Sequence, residues 1–144
     1  MDIIRRNTDY ALRLITLLTG YFKKGTSVSA RNLSKIAVVP YPLTCKLLQK
    51  LQKQNIVIST MGPKGGYGLA RNPEHISFLE IVETIQGPIH VNRCFLGQYK
   101  CPLKGRCPLH GKLKRLQDEI VDSLRNTKIA ELTSVKKDKQ EHME

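Results

Sequence analysis

Ile56-Val57-Ile58-Ser59-Thr60-Met61-Gly62-Pro63-Lys64-Gly65-Gly66-Tyr67-Gly68-Leu69-Ala70 decides the fold. The first five residues have β-branched strand character, and Gly62 to Gly66 reads only as a turn. Tyr67 to Ala70 leads the chain back, giving a β-hairpin. Working upstream, a helix starting near Pro42, a favoured first-turn position, carries Leu43, Leu47, Leu48 and Leu51 on one face. Before it, Ser29 is placed to cap a short helix through Ala30, Leu33 and Ile36. Earlier still, Tyr10, Ala11, Leu14, Ile15, Leu18 and Phe22 recur at helical spacing, with Thr8 as the expected cap and Gly20 weakening the last turn. Three helices, the last two joined by a short turn and followed at once by a hairpin, predict a winged helix-turn-helix, a mainly α fold with one small β-hairpin.

Downstream, Ser77-x-x-Glu80 reads as a capping box for a helix carrying Phe78, Ile81, Val82 and Ile85, closed by Gly87-Pro88. A cysteine-rich loop follows. Leu109, Leu113, Leu116, Ile120 and Leu124 then mark a long amphipathic helix whose single apolar stripe is most simply covered by a second copy of itself. Thr127 is placed to cap a last short helix through Ile129 and Leu132. The organisation expected is a winged helix-turn-helix domain over 1–88, a cysteine-rich loop over 89–110, a dimerisation helix with a short final helix over 111–133, and a disordered polar tail over 134–144.

The charge is uneven. Residues 1–73 hold twelve Lys and Arg against Asp2 and Asp9, a net of +10, whereas the remainder holds twelve against ten acids. A cationic N-terminal half suits a polyanion, double-stranded DNA above all. Along the third helix, Tyr41, Thr44, Lys46, Gln49, Lys50 and Lys53 fall away from the leucine face; the early positions are suited to base edges and the later lysines to phosphates, with Lys64 at the hairpin tip as a further contact. The N-terminus lacks a long apolar run, and no segment approaches the roughly 20 apolar residues that cross a bilayer, so a cytoplasmic protein without membrane contact is expected. No nucleophile-base constellation, phosphate-cradling loop or pair of acids at useful spacing appears, which argues against an enzyme.

Cys94, Cys101 and Cys107 share one loop with His110 three residues on. In a reducing compartment, three neighbouring thiols point to a metal or cluster rather than to disulfides. Gaps of six and five residues suit a loop wrapped around an iron-sulfur cluster better than the closer spacing of a zinc knuckle, although zinc and a metal-free thiol switch remain alternatives. Arg93, Lys100, Lys104 and Arg106 flank the triplet and would favour thiolates. Cys45, remote from the others, reads as a packing residue.

Three features together, Thr8-Asp9-Tyr10-Ala11-Leu12-Arg13, the hairpin run Gly62 to Arg71 and the cysteine triplet, resemble the bacterial winged-helix iron-sulfur regulators typified by IscR and NsrR. The resemblance spans roughly residues 3 to 133. It implies a homodimeric transcription regulator, most simply a repressor, binding palindromic operators and reporting on cluster status, nitric oxide, oxygen or iron. It also offers two candidates for a fourth ligand. His110 matches the histidine of the IscR branch and would close a site within one chain, suiting a two-iron (2Fe-2S) cluster. Asp9 matches the aspartate that the NsrR branch supplies from the partner subunit, suiting a four-iron (4Fe-4S) cluster. The chain departs from the family pattern at Met61, where many members carry an arginine, and over Pro40 to Lys46. A small iron-sulfur electron carrier is the remote alternative, and nothing in electron transfer calls for so cationic a winged-helix domain.

Overall fold

A computed structural model describes residues 2–133 of the 144-residue chain. The tail expected to be disordered lies outside these residues. Helix α1, Arg6–Lys24, buries Ala11, Leu14, Ile15 and Leu18 and is longer at both ends than its apolar pattern suggests. Thr8 does not cap it. Arg5 holds the cap position without a side-chain bond, and Thr8 lies inside the first turn, fully buried. Its hydroxyl donates to Gln86 Oε1 at 2.7 Å, an oxygen that also accepts the Arg5 N–H at 3.0 Å. A side chain nearly eighty residues away thus serves the helix start, where backbone donors lack helical partners. Gly20 is carried through without a break; the helix stops at Gly25, whose φ of 67° turns the chain out. Phe22, expected on the apolar face, is exposed.

Helix α2, Ala30–Ala37, is capped by Ser29, whose Oγ accepts the Asn32 N–H at 3.2 Å. Its buried stripe is Leu33, Ser34 and Ala37. Ile36, counted with the core from spacing alone, lies roughly 100° off that stripe and is exposed. Helix α3, Tyr41–Lys53, starts after Pro40 with Pro42 in its first turn and buries Leu47, Leu48 and Leu51 against α1 and α2. Strands β1, Val57–Thr60, and β2, Gly66–Leu69, form the expected antiparallel hairpin, with Val57 opposite Leu69 and Thr60 opposite Gly66.

The hairpin has a third attachment that alternation did not announce. Val28, between α1 and α2, exchanges backbone bonds with Tyr67, donating at 3.0 Å and accepting at 2.7 Å. This close approach explains Gly66: a Cβ there would meet the Val28 carbonyl at 2.5 Å.

Helix α4, Phe78–Gln86, is capped by Ser77, whose Oγ accepts the Glu80 N–H at 3.1 Å. The reciprocal half of the expected capping box is not the partner the Glu80 carboxylate takes. That carboxylate pairs with Arg71, which also donates to the Asn55 carbonyl at 3.1 Å and so ties α4 to the α3–β1 turn. Helix α5, His110–Asn126, lies against α4 and has no fully buried residue. Thr127 ends it, its hydroxyl donating back to Ser123 O at 2.8 Å. The chain then returns: Phe78 N–H reaches Thr127 O at 2.8 Å, Ile129 N–H reaches Ile76 O at 2.9 Å, and Ile129, in a 3-10 turn over Ile129–Thr133, is fully buried in the winged-helix core. Among the described residues no helix is long and apolar enough to cross a membrane.

Candidate nucleic-acid interface and metal centre

Helix α3 hides its leucines and Thr44 and exposes Tyr41, Lys46, Gln49, Lys50 and Lys53. Thr44 differs from the other positions named for this face. Its side chain is buried and its hydroxyl donates to Pro40 O at 3.1 Å, so it fastens the start of the helix rather than facing outward. An exposed position and an inward one differ by about one residue step of 100°, which a helix-face reading of a short segment resolves poorly.

Tyr41 is held from two sides. The Arg31 guanidinium stacks over its ring at 4.6 Å from the centroid, and the half-buried Cys45 sits one turn along. The Cys45 side chain pushes the Tyr41 phenol up from its ordinary 10.0, with Arg31 opposing. Tyr41 therefore stays a neutral hydrogen-bond donor at neutral pH. Arg31 is the residue that sequence reasoning missed, since an isolated arginine on the exposed side of a short helix leaves no periodic trace.

The hairpin is fixed relative to α3. Ile56 N–H bonds Leu51 O at 3.0 Å, and Gln52 Nε2 donates to Ser59 Oγ at 3.2 Å. Lys64 is exposed in its turn. These positions place one tyrosine, four lysines and Gln49 on α3 and the adjoining hairpin, a cationic face with hydrogen-bonding groups at its start.

The cysteine loop runs from Gly87 to Leu109 between α4 and α5. Its first part is anchored on α5: Gln117 donates to Ile89 O and accepts the Val91 N–H at 2.8 Å, while Ile89 is buried. Beyond that anchor come Cys94, Cys101 and Cys107, each free and half-buried. Asn92 Nδ2 donates to Cys94 Sγ and Leu103 N–H to Cys101 Sγ, both at 3.4 Å. Arg93 stacks over Tyr99 at 4.9 Å. His110, exposed at the start of α5, has its ring 5.5 Å from that of Phe95. Asp9 pairs with Arg13 of its own helix at 2.8 Å.

Among the described residues no three of these His, Cys, Asp and Glu side chains converge on one point. The donor set nonetheless fits an iron-sulfur cluster: three soft thiols lie in one loop, and two already accept N–H donors, which stabilise sulfur carrying negative charge. The loop would have to draw together to hold it.

The comparisons agree with this architecture. Residues 4–134 match the model of the Rrf2 family, described as iron-dependent transcriptional regulator. The chain is 27% identical over 127 residues to the HTH-type transcriptional repressor NsrR of Streptomyces coelicolor (strain A3(2)), covering 88% of this chain and 85% of that one. It is 32% identical over 91 residues to the HTH-type transcriptional regulator IscR of Pectobacterium atrosepticum, covering 63% of this chain and 55% of that one. In structure it is similar to CymR of B. subtilis, with a TM-score of 0.75 at 22% identity over 94% of this chain and 99% of that one.

Proposed function

This chain belongs to the Rrf2 family of transcriptional regulators, and from that premise we propose that it is a cytoplasmic, homodimeric repressor whose grip on palindromic operator DNA depends on an iron-sulfur cluster. The observation that carries the cluster reading is the position of the three free, half-buried thiols, in the loop joining the winged-helix core to the uncovered helix α5. Cys94, Cys101 and Cys107 would hold the cluster. Asp9 of the partner subunit or His110 would complete it. When bound, the group supplies a centre open to nitric oxide, oxygen or loss of iron.

The chain's own residues would do the rest. In this reading residues 1–88 read DNA, 89–110 form the sensing loop and α5 pairs the two copies. Leu116 on α5 and Leu109 at its N-cap are 46% and 63% exposed, and a second copy would cover them. Tyr41 and Gln49 would meet base edges, and Lys46, Lys50, Lys53 and Lys64 the phosphates. Half-sites one helical turn apart are about 34–36 Å from centre to centre, so a small rotation of the loop against α5 takes two α3 helices out of register. Gln117 is the residue through which the loop would act on α5.

The test is iron, acid-labile sulfide and zinc per chain in protein purified without oxygen, together with operator affinity before and after cluster removal. Iron with matching sulfide, and affinity that falls on removal, is the expected result. About two irons per chain would favour His110 and about four Asp9. Zinc without sulfide, or no metal, would favour a regulator of the same fold that senses through zinc or through the thiols themselves. Equal affinity for loaded and stripped protein would overturn cluster dependence.

A further inference from the structure

Met61 is the most exposed large apolar side chain among the described residues, at 94%. None of the described residues covers it, and it does not stand on a slack loop. It immediately precedes Gly62, which has φ 106°, and the turn is closed by the Gly65 N–H on Gly62 O at 2.9 Å. The turn admits no side chain at Gly65, where a Cβ would lie 2.1 Å from the Thr60 carbonyl. Below it, Ser59 is bonded to Gln52 of α3, and Tyr67 is zipped to Val28. The tip is therefore held at a set position relative to α3.

The charge around it is as telling. From Ile56 to Ala70 the chain has no acid and a single cation, Lys64. The tip thus offers one unbranched apolar finger beside one positive charge.

When α3 occupies the major groove, an element fixed beside it falls on the flanking backbone and the neighbouring minor groove, about 6 Å wide. A methionine is thin and conformationally adaptable enough to enter that groove. Apolar side chains there partly unstack a base step, and the step that yields most easily is pyrimidine–purine, TA or CA/TG.

We infer that Met61 is a specificity-determining wedge, inserted from the hairpin tip into the minor groove flanking each α3 contact and selecting duplexes with a deformable pyrimidine–purine step there. The inference rests on the DNA-reading function proposed above. Lys64 anchors the adjacent phosphate, and the preference arises from the energy of deforming DNA rather than from hydrogen bonds to bases.

The test is selection from a pool of randomised DNA duplexes by the full-length protein and by M61A and M61R, followed by titration of the enriched sites. Because Met61 contacts solvent, neither change disturbs the core. The wild type is expected to enrich a flanking TA or CA/TG step. M61A should lose that enrichment by about fivefold or more while keeping the bases chosen by α3. M61R should exchange the flexible step for a narrow A-tract and steepen the salt dependence by about one charge per chain. A 2-aminopurine in the flanking step should brighten with the wild type and not with M61A. Identical flanking preferences for wild type and M61A would overturn the wedge while leaving the DNA-reading function intact. A wild type that enriches no duplex would overturn both.

Discussion

Val38 is a β-branched residue with φ 56° and ψ 52°, the left-handed conformation that ends α2, and it is 76% exposed. A side chain in this region costs about 1–2 kcal/mol, and one so exposed recovers little by packing. Val38→Gly is expected to stabilise the fold by about 1 kcal/mol, visible as a higher urea midpoint with unchanged slope. Gln86 carries the opposite sign. It accepts from Arg5 N–H and the buried Thr8 hydroxyl and donates to Ile3 O at 2.9 Å, so Gln86→Leu strands a buried donor. A loss of about 1–3 kcal/mol is expected in the same denaturation experiment. Thr8 shows where sequence reading stops at this scale: a threonine near a helix start looks like a cap, and only a partner far along the chain turns it inward. Thr44 is the same case on α3. Ser29 and Ser77, whose bonds are made three residues away, were legible from the sequence.

Elements were read well where their information is local. The hairpin between Ile56 and Ala70, the three helices before it and the stripe on α5 all stand where apolar period and turn residues put them. What local pattern does not encode is the pairing of Val28 with Tyr67, since one bridge residue makes no alternation. Gly66→Ala puts that pairing to work as a test: the new Cβ collides with backbone, and loss of well over 1 kcal/mol of stability with a displaced hairpin is expected, read by thermal unfolding and by amide exchange at Tyr67. On α5, Leu116→Lys places a charge in the apolar stripe while removing nothing from the core, because no residue of this helix is fully buried. Sedimentation should show a folded monomer in place of a dimer. A variant that stays dimeric would mean that the two copies meet elsewhere.

Over the whole molecule, charge and connectivity set the behaviour. Lys46, Lys50, Lys53 and Lys64 are exposed in each chain. If each neutralises a phosphate, a dimer makes about eight such contacts, and log affinity should fall against log salt with a slope near −7. A slope near zero in fluorescence anisotropy would remove this face from the interface. The cysteine loop shows what a sequence leaves unread at this scale: it declares three ligand-type residues, yet their convergence depends on how a loop held by Gln117 closes.

The return of Ile129 to the core gives the molecule an order of assembly during synthesis. Every residue of the helix-turn-helix and the hairpin precedes residue 70, but the hydrophobic core they form is sealed by a side chain made some sixty residues later. Removing so buried an isoleucine costs about 2–5 kcal/mol, a large share of what a small domain possesses. A nascent chain that has produced its reading elements is thus still short of a finished core, and competence waits until the cysteine loop and α5 have also been made. The helix-turn-helix and the cysteine loop are in this way delivered together, and a product broken off before Ile129 lacks the packing that completes the winged-helix core.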